Sequence, residues 1–346
     1  MKKHIEEISW RVSEPEYRQD PALSYSTLSR YEREGFEKLD SLFTPVETPA
    51  LTFGSAVDCL LTDGEEEFNK SYLVLDIPAV EPAIEPIVKE VFRLYGTQFT
   101  DLHSIPDTPL MSIIDSFQYQ QRWRPETRCK VVREKGQAYY HALFRAGSKT
   151  ILTQELYAKV FACVSALRDS KQTKSYFEKD NPFGNIEHCY QPKFKALLGN
   201  VEYRCMADLL IVDHDKKTVH PVDLKTSSKL EYEFPKSFLE WRYDLQARLY
   251  WRIIRANMDK DSYFKDFKLL DYTFVVVSKQ SNPITPLVWS FDKTQALGEL
   301  SLGGKTLRDP QIIGEELTYY LKEKPLVPNG VTIYGTNSIT QWFDKK

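Results

Sequence analysis

The 346-residue chain has little that would place it in a membrane, a disulfide scaffold or a polyanion-binding class by bulk charge. Its five cysteines, Cys59, Cys129, Cys163, Cys189 and Cys205, lie far apart, and no Cys-x-x-Cys pair or Cys/His grouping resembles a zinc or iron–sulfur site. The odd count and wide spacing suit reduced thiols in a cytosol-like compartment. No run approaches the roughly 18 apolar residues of a membrane span; the strongest in the C-terminal third, Phe274-Val275-Val276-Val277, is strand length. Met1-Lys2-Lys3 leads into His4, Glu6 and Glu7 rather than an apolar segment, so no secretory signal is expected. Neither sign of charge dominates: Lys plus Arg is 46, Asp plus Glu is 49, and the net charge is −3. Affinity for nucleic acid would have to come from a local patch. No low-complexity tract or internal repeat is visible.

What is present is 42% hydrophobic and 13% aromatic, enough for one large core or two smaller ones. Hydroxyls at Ser24 to Thr27 offer an N-cap to a helix carrying Tyr25, Leu28, Tyr31 and Phe36. Small residues in Gly54-Ser55-Ala56-Val57-Asp58-Cys59-Leu60-Leu61 predict a tightly packed helix ending near Gly64, with Asp58 a carboxylate in an otherwise apolar turn. Pro78, Pro82, Pro86, Pro106 and Pro109 around a short helix at Ile87–Tyr95 predict a mobile or lid-like insertion within residues 65–150. Thr153 is placed to cap a helix with Leu156, Val160, Cys163, Val164 and Leu167 on one face, running toward Asp169 and followed by further helical or loop residues up to Asn181-Pro182.

The pattern then changes to period two. Three strands are expected at Ile186–Phe194, Val201–Val212 and Thr218–Lys225, with turns at Leu198-Gly199-Asn200 and Asp213–Lys217. A long helix from Phe238 to Met258 follows, then a buried strand at Tyr272–Ser278, helices near Gln295–Leu302 and Glu315–Lys322, and a polar tail. The order predicts an α/β fold: a central mixed sheet flanked by helices, in one domain over residues 1–346, with residues 182–280 as the sheet core.

Alternation puts Asp223 and Lys225 on one face of their strand and Val222 and Leu224 on the other. A hairpin through Asp213–Lys217 would bring Asp208 alongside, so two carboxylates and a lysine converge at one edge of a sheet. Hard divalent ions take one or two carboxylates plus phosphate oxygens, and such a cluster fits metal-assisted attack on a phosphodiester. An isolated Asp-x-Lys is more often an exposed strand pair with an incidental salt bridge. Here Asp208 on the preceding strand, Glu187 one strand earlier, and Gln246 and Tyr250 on one helical face favour the site.

Asp208, Asp223-Leu224-Lys225 and Gln246-Ala247-Arg248-Leu249-Tyr250 together resemble the PD-(D/E)XK nuclease superfamily. Within it the chain resembles the phage-type exonucleases related to exodeoxyribonuclease VIII (RecE) and the nuclease domain of RecB. The likeness extends to Ser24–Leu28 and to Gly54–Leu61, and so spans about residues 24 to 252, with the segment 65–150 matching no motif. The resemblance implies a restriction-endonuclease-like core with helical N-terminal additions. Asp208, Asp223 and the Leu224 carbonyl would be metal ligands, Lys225 the catalytic lysine, and Gln246 and Tyr250 would position the DNA strand or the lysine's surroundings. Asp58 departs from the pattern, since relatives often carry His there; a carboxylate can still bind Mg²⁺. Glu187 sits where relatives often place a glutamate, and metal ligation and a solvent-facing role are both open. The resemblance also implies Mg²⁺ with Mn²⁺ as substitute, resection of linear duplex DNA for a single-strand annealing protein, a ring-like homo-oligomer, and a bacterial cytoplasm if the protein is phage-encoded. An endonuclease or flap nuclease on the same fold, and an inactive DNA-binding or assembly protein, are the alternatives.

Arg242, Arg248, Arg252 and Arg255 fall on or near one helical face and would make a sequence-independent phosphate-binding stripe; a merely solvated face is the competing reading. Gln118–Arg124, with Tyr119 and Trp123, could stack on an unpaired base or pack beneath a lid. His141, His188 and His214 have no metal-like mutual spacing and are assigned no role.

Overall fold

A computed structural model describes residues 2–44, 46, 48–178 and 184–323; the expected polar tail beyond lies outside the described residues, as do Asn181 and Pro182. The N-terminal part is helical: α1 (Glu14–Gln19), α2 (Tyr25–Glu34), α3 (Pro49–Thr62) and α4 (Glu65–Ser71). Ser24 precedes α2 as expected, but its hydroxyl meets those of Ser26 and Thr27 instead of capping the backbone. Helix α3 is capped by Thr48, whose Oγ1 accepts from Leu51 N at 3.2 Å, and starts on Pro49, where a missing N–H costs nothing.

Strand β1 (Tyr72–Leu75) pairs in parallel with β2 (Thr150–Thr153), and between them run α5 (Glu85–Tyr95), α6 (Asp107–Ser116) and α7 (Pro125–Ala146). This is the segment expected as a proline-rich insertion. It has its own core, in which Ile84, Val88, Leu102, Leu110, Val132 and Tyr140 pack together. Pro86 and Pro125 stand in the first turns of α5 and α7, so they open helices rather than mark loop. Gly136 lets α7 approach α5: a Cβ there would lie 2.5 Å from Val88 Cγ2. Gly136→Ala should therefore destabilise the protein by about 1–3 kcal/mol through overpacking. An unshifted midpoint in chemical denaturation would contradict this packing.

After β2, Thr153 Oγ1 accepts from Leu156 N at 3.1 Å and starts α8 (Gln154–Asp169), as the sequence suggests. The three expected strands are five: β3 (Ile186–Tyr190), β4 (Lys193–Leu198), β5 (Val201–Met206), β6 (Leu209–Asp213) and β7 (Thr218–Ser227). The breaks fall at Gln191-Pro192 and Ala207-Asp208, where the chain leaves the main sheet for the separate β4–β5 hairpin and returns. Gln191 is left-handed (φ 51°) and Pro192 has no N–H for a ladder, which forces the first break. The expected helix Phe238–Met258 is likewise two, α9 (Phe234–Glu240) and α10 (Tyr243–Asp259), divided at the left-handed Arg242 (φ 56°).

The chain continues through β8 (Lys268–Leu269), β9 (Tyr272–Ser278), β10 (Leu287–Phe291), β11 (Leu300–Leu302), β12 (Lys305–Leu307) and α11 (Pro310–Glu323). The helix expected near Gln295–Leu302 is instead a short 3₁₀ turn, Lys293–Ala296, followed by the β11–β12 hairpin. Gly303 and Gly304, both at positive φ, make that turn and exclude a helix there.

The main sheet has the order β10-β9-β7-β6-β3, with β8 pairing alongside the start of β7. The β7–β9 pair is parallel and the other neighbours along this order are antiparallel, so the sheet is mixed, as expected. One face packs on α10 through Phe274 and Val276 against Leu245, Leu249 and Ile253. The other packs on α3 and α8 through Val222, Val275 and Val277 against Val57, Leu60, Val160 and Val164. Burial on both faces explains why β9 is apolar without alternation.

Candidate active site

Strand β7 is central, so the acidic and basic residues meet in the middle of the sheet and not at its edge as expected. Asp223 is fully buried, and Lys225 lies on the same face with its ammonium paired to Asp223 Oδ1. The exposed, incidental ion pair is thereby excluded. Asp208 sits in the link between β5 and β6. Because Leu209 is in register with Val222, Asp208 is level with Asp223, and its Oδ2 accepts from Leu224 N at 2.8 Å.

Helix α10 delivers Gln246, whose Nε2 donates to Asp223 Oδ2 at 2.5 Å. Tyr250, one turn on, is buried against Tyr272, ring centroids 6.4 Å apart. The Tyr272 hydroxyl donates to Asp223 Oδ2 at 3.3 Å, and the Lys225 ammonium lies 5.0 Å over the Tyr243 ring. From the opposite face α3 brings Asp58, held by Gln191 Nε2 at 2.6 Å. Gly54 makes this approach possible, since a Cβ there would come within 3.0 Å of Thr226 Oγ1 on β7. Asp58, Thr62, Tyr190, Asp208 and Leu224 help line a narrow cleft.

Burial raises the pKa of all three carboxyls, because a charge loses its hydration there. Asp58 is pushed up to about 6, with the Gln191 hydrogen bond working the other way. Asp208 is raised well above the carboxylate range by burial and then by the Asp223 charge, and Asp223 is raised by burial against the opposing pull of Lys225. Burial works against the charge on Lys225, but Asp223 and Asp208 outweigh it and hold the amine above the ordinary lysine range.

These groups suit a hard divalent cation. Asp208 and Asp223 act on the one ammonium of Lys225, Asp58 stands on the other face beside Asp208, and Asp223 Oδ1, paired with that ammonium, has no other hydrogen-bond donor. Among the described residues, no three His, Cys, Asp or Glu side chains already close into a cage.

Two sets of expected site residues fall elsewhere. Glu187 lies three residues along β3 from Tyr190, the residue level with Leu209. It is buried, accepting from Ile5 N at 3.1 Å and pairing with His214 Nε2 at 3.1 Å. It is therefore neither solvent-facing nor part of the carboxylate cluster, and it holds the N-terminus to the sheet. The arginines do not form an exposed stripe. Arg248 is fully buried, with its guanidinium on the carbonyls of Arg308 and Gly298 and on Asp309. Arg252 also pairs with Asp309, Arg242 with Glu32 and Asp244, and Arg255 with Asp259 and the Phe267 carbonyl. They tie α10 to α2 and to the start of α11 because acidic partners and bare carbonyls from those segments converge on them. In the α6–α7 loop Tyr119 is buried, whereas Trp123 is 42% exposed.

Gln191, Tyr243 and Tyr272 were not foreseen. Pro192 inside an apparent strand was the available signal for Gln191. Tyr272 could have been placed only by knowing that β9 pairs with β7 in the register Asp223↔Phe274.

A family model described as "PDDEXK-like domain of unknown function (DUF3799)" matches residues 24–295. A solved structure from Eubacterium rectale, described as "Putative exonuclease", is similar over 93% of this chain and 88% of its own, at 13% identity and a TM-score of 0.44. No curated protein matches the sequence. Among the described residues, no helix is long and apolar enough to cross a membrane.

Proposed function

This chain belongs to the PDDEXK-like family, and on that premise we propose that it is a divalent-metal-dependent deoxyribonuclease. The observation that carries the reading is the Asp208–Asp223–Lys225 cluster, built on the buried Asp223, braced by Gln246 and lying beside Asp58. Asp208, Asp223, the Leu224 carbonyl and Asp58 would hold Mg²⁺, with Mn²⁺ as substitute. The ion would supply Lewis-acid neutralisation of the charge that develops on the phosphate. Lys225 would orient the attacking water and offset phosphate charge, its ammonium kept protonated by the two aspartates. Gln246 and Tyr272 hold Asp223 Oδ2, which fixes the carboxylate against rotation. Tyr250 supports Tyr272 from behind.

The substrate is proposed to be linear duplex DNA, digested from an end to leave a single strand for an annealing protein, by a ring-like homo-oligomer in a bacterial cytoplasm. The chain would act as one nuclease domain over residues 1–346, with 65–150 inserted into it. With Mg²⁺, the purified protein should release nucleotides from a linear duplex and leave a covalently closed circle intact. Cutting of the circle would instead establish an endonuclease, and no release from either would remove the hydrolytic reading.

Protons and metal compete for these carboxyls. Asp58 goes from an ordinary 3.8 to about 6, so the folded protein holds this proton more tightly than the unfolded chain does. Metal-free stability should therefore fall as pH rises from about 4 to 6. Mn²⁺ affinity, read by titration calorimetry, should rise over the same window by up to tenfold per pH unit for each proton displaced. A pH-independent affinity between about 4 and 6 would contradict this.

A further inference from the structure

We infer that Gln191 is a positioning residue that fixes Asp58 for the metal, an inference that rests on the metal-dependent reading above. Gln191 stands in the link where the chain leaves β3 for the β4–β5 hairpin, with a left-handed backbone (φ 51°) that residues other than glycine, asparagine and aspartate seldom adopt. A turn alone would be served better by one of those three. What glutamine adds is reach.

In this conformation its backbone N–H donates to the Asp208 carbonyl at 3.0 Å, while its side-chain Nε2 donates to Asp58 Oδ2 at 2.6 Å. One residue thus ties together two proposed ligands that enter from different elements, Asp58 from α3 and Asp208 from the β5–β6 link. A carboxylate turns readily about its last side-chain bond. With Oδ2 held by an amide, Oδ1 is the oxygen left for a cation. The donor is neutral, so it orients the carboxylate without cancelling the charge that a cation needs. Partners that hold a ligand in this way, without touching the metal, typically change metal affinity by roughly 10–100-fold when removed.

The test is Mn²⁺ binding to the DNA-free protein, followed by calorimetry or by the loss of the free-ion electron paramagnetic resonance signal. Gln191→Gly keeps, and indeed favours, the left-handed backbone and removes only the amide. It should weaken Mn²⁺ binding by roughly 10–100-fold with a near-wild-type unfolding midpoint. Gln191→Asn tolerates the same backbone but is one methylene too short to reach Asp58, and it should show the same loss. In an Asp58→Asn background, Gln191→Gly should cause no further loss. Wild-type affinity in Gln191→Gly, or an equal loss in both backgrounds, would make Gln191 a turn residue only and overturn the inference. Wild-type protein that takes up no Mn²⁺ would overturn the metal reading itself, and this inference with it.

Discussion

Asp208→Asn should reduce DNA hydrolysis by on the order of 10³-fold or more, the effect of losing several kcal/mol of charge stabilisation at the phosphate. It should at the same time leave the metal-free protein folded, with a higher melting temperature at pH 8. The two effects have one cause. Asp208 is half-buried beside Asp223, and its carboxyl is raised well above the usual range by lost hydration and by the Asp223 charge, which its partners in the metal-free protein do not offset in full. Asparagine keeps an oxygen for the Leu224 N–H and removes the charge. A group retained at a cost to stability and needed for turnover has the signature of a functional site. Loss of activity together with a lower melting temperature would instead make Asp208 a structural residue.

Asp309→Ala should destabilise the fold by about 3–5 kcal/mol, because it leaves buried guanidiniums without their carboxylate. Arg248 and Arg252 both pair with Asp309, and Asp309 Oδ1 also accepts from Gln311 N at the start of α11. Urea unfolding measures the loss, and DNA affinity per folded molecule should not change. A DNA-facing arginine stripe predicts the reverse: stability nearly unaffected, and binding strengthened as the arginines are released from their acid.

The arginine result shows where reading the sequence stops. Spacing of four and seven residues places Arg248, Arg252 and Arg255 together on α10, but it says nothing of what covers them. The partners that cover Arg248 and Arg252 come from residues 296–309, far along the chain, whereas Arg255 pairs within the helix with Asp259. The Asp208, Asp223, Lys225 and Gln246 group was legible because a short hairpin fixes register and alternation fixes the face. Helix α8 was legible from its Thr153 cap and one-sided apolar face, and β9 from an apolar run of strand length. Helix α5 was legible near Ile87–Tyr95, but the helices α6 and α7 were masked by a proline-rich composition, and the β11–β12 hairpin by the apolar residues around Gly303-Gly304. Gln191 and Tyr272 were hidden because their contacts depend on a strand break and on a parallel pairing between β7 and β9.

Anomalous scattering from a crystal soaked in Mn²⁺ tests the central claim most directly. The account predicts a single strong peak in the cleft, within bonding distance of Asp208, Asp223 and the Leu224 carbonyl, with Asp58 bound directly or through water. A Mn²⁺ peak at any other group of residues, with these carboxylates unmoved and Lys225 still closed on Asp223, would contradict it.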